Sequence, residues 1–133
     1  MGAIERLGAA IGYPDPLKGP SATLQVDGGD VRVREEGGRL VLERTICAPE
    51  DGSETLARMA GFAAGRMLKE EATLAWDPAR GEVVLWQDVP ANAADGVLKR
   101  VFEVFCTSCD WWLARADETD RAPQTFPAMM IMP

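Results

Sequence analysis

Cys106-Thr107-Ser108-Cys109 has the spacing of a redox Cys-x-x-Cys pair. Such a pair works when one thiol is ionised at a helix N-terminus, commonly just after a strand. Here the surrounding residues predict otherwise. Leu98, Val101, Phe102, Phe105, Cys109, Trp112 and Ala116 follow the helical period as one broad stripe. Asn92 reads as the N-cap of that helix, and Asp95 as an acidic group in its first turn. The cysteine pair then falls about four turns into the helix, where the dipole gives little help. Two small thiols within a helix stripe is the plainer reading, and a thiol oxidoreductase at Cys106/Cys109 is the enzymatic alternative.

Metal chemistry has few donors to work with. Cys47 joins Cys106 and Cys109 as the third of three cysteines, and the chain has no histidine. A zinc site takes about four ligands from these residue types. The lack of histidine also removes the commonest general base. The acidic pairs Glu35-Glu36 and Glu70-Glu71 sit in a turn and at a helix end, where solvated charge is the ordinary role. Gly28-Gly29 lies between two alternating runs and opens no helix, so it is not a phosphate cradle. The expectation is no catalytic residue, no metal and no cofactor, hence a protein that is not an enzyme.

The elements follow from the patterning. Ile4, Leu7 and Ile11 share one face of a short helix over 3–11, which Tyr13-Pro14-Asp15-Pro16 ends. Ala22, Leu24 and Val26 alternate, as do Val31 and Val33, and Leu40 and Leu42, with the apolar face continuing to Ile46. Asp27-Gly28-Gly29-Asp30 and Glu35-Glu36-Gly37-Gly38 provide the turns, so these runs predict an antiparallel three-strand meander with one wet face. Thr73–Trp76 and Glu82–Val89 predict a hairpin, joined by a type I turn with a glycine bulge over Asp77-Pro78-Ala79-Arg80-Gly81. Val83-Val84-Leu85-Trp86 is apolar on both faces, as befits a central strand or one at a subunit interface. Val97, Val104 and Trp111 add a second, weaker stripe to the last helix, so it touches more than one surface.

Between the two strand groups, Ser53–Glu71 predicts a helix with Ser53 as N-cap. It carries Gly61 and Gly65 on one face with Ala57. Each interior glycine costs about 1 kcal/mol relative to alanine, so a close neighbour is expected on that face. The order helix, three strands, helix, two strands, helix implies an α+β fold: about five antiparallel strands in a twisted sheet with three helices.

The totals fit one domain of 133 residues, with 47% apolar and 26% charged residues. A formal charge of −7 without a Lys/Arg cluster argues against nucleic acid and anionic membrane partners. No apolar run is long enough to span a membrane. The start, with Glu5 and Arg6 in its middle, does not read as a secretory signal, so a reducing cytoplasm is the expected location.

Three pieces carry a resemblance: Leu7-Gly8-Ala9-Ala10-Ile11-Gly12, Leu24-Gln25-Val26-Asp27 and Asp77-Pro78-Ala79-Arg80-Gly81-Glu82-Val83-Val84-Leu85. With the element order, length and acidity, they make residues 3–116 resemble the class I type III secretion chaperones, the Tir-chaperone-like family. The resemblance implies a homodimer that binds the N-terminal chaperone-binding segment of a bacterial effector and keeps it secretion-competent. A secretion ATPase or a regulator is the further partner it implies. A partner-switching regulator of secretion gene expression on the same fold is the second reading.

Under the resemblance, the first helix and the sheet present Ile4, Leu7, Ile11, Leu24, Val26 and Val33 to the effector. Ile4, Leu7 and Ile11 could equally be ordinary core. The second helix and late strands form the dimer contact through Ala57, Gly61, Phe62, Gly65, Leu85 and Trp86. Met67-Leu68-Lys69-Glu70-Glu71 stands where family members often carry a leucine-rich stretch closing in asparagine. The domain is expected to span 1–116, followed by a tail over 117–133 whose apolar end, Phe126–Met132, could shield a client patch.

Overall fold

A computed structural model describes residues 2–49, 52–62 and 71–121. The elements are α1 (Ala3–Ile11), β1 (Ser21–Val26), β2 (Gly29–Glu36), β3 (Arg39–Cys47), α2 (Gly52–Phe62), β4 (Thr73–Asp77), β5 (Glu82–Pro90) and α3 (Asp95–Arg121). The strands form one antiparallel sheet in the order β1-β2-β3-β5-β4. Among the described residues, the α+β class, the three helices and the five strands are as the sequence predicts.

Cross-strand register divides the sheet into two faces. Leu24 pairs with Val31, Val33 with Leu42, Leu40 with Val89, and Leu85 with Leu74. All eight are buried, and with Ile4 and Leu7 of α1 and Leu98, Phe102, Phe105, Cys109 and Trp112 of α3 they belong to one core. Met59 joins that core from α2. The apolar stripe of α3 is thus its contact with the sheet, as the periodicity indicates.

Several boundaries differ from the sequence reading. Gly12, at φ 72°, ends α1 in the left-handed conformation that glycine adopts without a Cβ penalty, so the stop comes before the prolines. Gly52 begins α2, which places Ser53 inside the first turn and not at the cap. Residues 90–93 form a turn closed by Ala93 N–H to Pro90 O at 3.0 Å, and the first α3 amides donate to Ala94 O. Asn92 therefore precedes the helix by too much to cap it. α3 runs to Arg121. Glu71 lies outside any helix, and its carboxylate accepts from Gln87 Nε2 at 3.0 Å.

The late hairpin is built as its sequence suggests. Asp77 Oδ1 accepts from the amide of Ala79 at 3.0 Å, and Gly81 at φ 68° carries the chain into β5. β5 then inserts between β3 and β4, with β4 taking the edge. That central position accounts for most of the doubly apolar run: Val84 and Leu85 are buried on opposite faces within one chain.

Candidate functional site

No helix of the described residues is long and apolar enough to cross a membrane. Two surfaces among the described residues combine apolar and charged groups in a way that suits another polypeptide. The first is the sheet face opposite the core. Register sets Thr23, Arg32, Glu43, Trp86 and Thr73 side by side across all five strands. On the β1–β3 half, Arg32 reaches Glu43 at 2.9 Å, Arg34 reaches Glu36 at 2.8 Å and Glu43 at 3.4 Å, and Thr45 donates to Glu82 at 2.8 Å. Burial pushes the Glu43 carboxyl up, but hydrogen bonds and charge from Arg32 and Arg34 outweigh this and hold it below its ordinary 4.5.

On the β3–β5–β4 half the same face turns apolar. Val41, Val84, Ala75, Trp76 and Trp86 line a shallow depression of about 490 Å³, with Arg34, Arg39 and Asp88 at its margin. Trp86 is 37% exposed. An indole left in water on a depression edged by charge is the usual composition of a contact patch.

The second surface is a groove of about 580 Å³ between α3 and β5. Val97 and Val104, 47% and 51% exposed, stand one above the other on α3 with Val101 beside them. Arg39, Asp88 and Arg100 supply charge, and Gln87 and Ser108 supply buried polar groups at the floor. The second stripe of α3 thus faces outward at Val97 and Val104. Trp111, its third member, is half-buried, packs edge-on against Trp112 at 5.1 Å and lies under the Arg115 guanidinium at 4.7 Å.

The residues that the resemblance assigned to effector contact divide. Ile4, Leu7, Leu24 and Val33 are buried in the core of the single chain. The alternation that selects them marks the inner sheet face, and α1 and α3 already cover it. Ile11 and Val26 are half-buried and pack against the core edge. Of the residues assigned to a dimer contact, Leu85 is 0% exposed and lies in the core. Ala57 and Gly61 are exposed, and a Cβ at Gly61 would meet no atom of the described residues within 4 Å. Among the described residues, nothing covers the small face of α2 at that point. Phe62 closes α2, while Gly65 and Met67-Leu68-Lys69-Glu70 lie outside the described residues, as does Phe126–Met132.

Val41, Arg39, Asp88 and Trp76 were not singled out from the sequence. The signal for Val41 was present in Leu40-Val41-Leu42, an apolar triplet in a strand that otherwise alternates.

The thiols are placed as a helix stripe places them. Cys109 is buried and Cys106 half-buried. Burial pushes them up to about 12 and about 11, against the opposing charge of Arg44. Both are protonated at neutral pH, which is the reverse of what a redox nucleophile requires.

No family model matches the chain. No curated protein matches it either. Solved structures do. A chain of the ExsC–ExsE complex aligns with a TM-score of 0.64 at 17% identity, over 84% of this chain and 89% of that one. A chain of the HopA1–SchA chaperone–effector complex aligns with a TM-score of 0.65 at 15% identity, over 84% and 91%. A chain of the ExoT–SpcS complex from Pseudomonas aeruginosa aligns with a TM-score of 0.59 at 20% identity, over 81% and 91%. The chain therefore has the fold found in these protein–protein complexes, which among the described residues is three helices packed with a five-stranded antiparallel sheet.

Proposed function

We propose that this protein is a chaperone that binds a secretion effector through the effector's N-terminal segment and holds it in an extended, export-ready form. The observation that carries the reading is the near full-length fold match to chains from complexes, one of them a chaperone–effector pair. The residues agree with it. Both candidate surfaces are shallow, edged by charge and lacking a convergent catalytic group, which suits side chains laid into depressions along an extended peptide.

The proposed assembly is a homodimer. Its contact uses the bare Ala57–Gly61 face of α2, with Phe62 and Gly65 continuing along the chain, and Trp86 on the neighbouring sheet. A backbone approaching Gly61 offsets the glycine's cost to the helix. The effector is then met at the α3–β5 groove and along Ile11 and Val26 at the core edge. The working compartment is the bacterial cytoplasm, and a secretion ATPase or regulator would take the loaded complex.

Affinity isolation of the tagged chain from its own bacterium, followed by limited proteolysis and mass spectrometry, tests the reading. The expected result is one partner at stoichiometric yield, protected over a segment in its N-terminal part. A chain that returns alone, or a partner protected over a folded C-terminal domain, contradicts it.

A further inference from the structure

Arg44 breaks the pattern of the inner sheet face. β3 sends Leu40, Leu42 and Ile46 into the core, and the alternation sends Arg44 with them. Its cross-strand partner is Leu85, which pairs in turn with Leu74, and both are buried. Arg44 itself is 5% exposed. Among the described residues no hydrogen bond and no ion pair ends on its guanidinium. Its charge is felt by the Cys106 and Cys109 thiols, which stay protonated. Glu103 and Asp110, the acidic groups acting on the same thiols, are exposed and make no ion pair with it.

A guanidinium has five donors in a planar fork and keeps its charge at every accessible pH. Burying it without an acceptor is among the most unfavourable arrangements a core can hold. Backbone without side chains stands beside its end. One terminal nitrogen lies 2.7 Å from where a Cβ at Gly29 would be and 3.9 Å from that at Gly28. Gly28, at φ 79°, is the exposed tip of the β1–β2 turn. The two glycines leave room for the guanidinium, and only backbone without side chains separates its end from the exposed turn.

We propose that Arg44 is the receptor for a single carboxylate that enters past the Gly28–Gly29 turn, carried on a side chain of a bound polypeptide. The planar two-oxygen group matches the fork. The chain's net charge of −7 disfavours free anions, whereas a carboxylate tethered to a polypeptide held elsewhere on the surface arrives at high local concentration. The tethered source rests on the chaperone reading; the receptor itself does not.

The test is thermal melting of the full chain in chloride buffer, with sodium formate exchanged in at constant ionic strength. Wild type should show a rise in Tm that saturates. Arg44→Met should melt higher than wild type in chloride, by about 2 °C or more, and should not respond to formate. Gly29→Ala, which pushes the guanidinium aside, should not respond either. A flat wild-type titration overturns the site, whether or not the variants fold. So does a rise that never saturates and is shared by Arg44→Met, and so does an Arg44→Met protein that melts lower or does not fold. A response to phosphate with none to formate overturns the carboxylate assignment. A captured effector with no formate response overturns this site and leaves the chaperone reading standing. A formate response with no captured partner keeps the receptor and overturns the polypeptide source.

Discussion

Arg6 Nε stands 2.9 Å from Asp95 Oδ1, joining α1 to the first turn of α3 across 89 residues of sequence. The same guanidinium donates to the carbonyl of Ala91 at 3.0 Å and to that of Ala93. One side chain thereby satisfies the turn that leads into α3 and fixes the helix on which the outward Val97–Val104 stripe is displayed. Arg6→Met should lower stability by about 1–3 kcal/mol, because two carbonyls lose a charged donor. Asp95→Ala should cost under about 1 kcal/mol, since its carboxylate is largely exposed. Urea unfolding of both variants checks the order.

Gly61 offers a test of the dimer that separates subunit contact from folding. With none of the described residues near its Cβ position, Gly61→Ala should stabilise α2 by about 1 kcal/mol in the isolated protomer. Gly61→Leu should retain the helical signal while sedimentation shows a dimer turning to monomer. Trp86→Glu should do the same from the sheet side. A dimer that survives both substitutions shows that the subunits meet elsewhere.

Acid should weaken the fold through Glu43. Its carboxyl is held below 4.5 in the folded chain, so its contribution is present above that value and is lost as pH falls through the lowered value. Glu43→Gln should therefore be less stable than wild type at neutral pH. Its stability should fall less steeply below about pH 4.5 when followed by thermal melting.

The thiols should be slow. Burial holds Cys106 near 11 and Cys109 near 12, so alkylation by iodoacetamide at pH 8 should lag far behind a free thiol and speed up only on unfolding. A Cys106→Ser, Cys109→Ala double variant should still capture the same partner. Loss of capture with the fold intact would restore the redox reading.

The element order, the hairpins and the core stripe of α3 were legible because each is a local periodicity. The place of β5 was not, since its pairing with β3 joins Leu40 to Val89 and no local signal records it. That insertion, more than a subunit contact, accounts for the apolar run at Val83-Val84-Leu85. Alternation also identified Ile4, Leu7, Leu24 and Val33 as one-sided, but periodicity cannot say whether a helix of the same chain already covers that side. The groove needed Val97 and Val104 to be seen beside Arg39 and Asp88, which only the folded sheet brings together. Arg44 was visible in the sequence as the gap between Leu42 and Ile46; its burial and its lack of an acceptor among the described residues were not.

Native mass spectrometry of the complex isolated from the cell addresses the central claim most directly. Two copies of the 14.4 kDa chain with one partner polypeptide is the mass the account predicts. Loss of the partner's N-terminal part should leave only the chain dimer. A lone 14.4 kDa species that captures nothing would contradict both the chaperone role and the dimer.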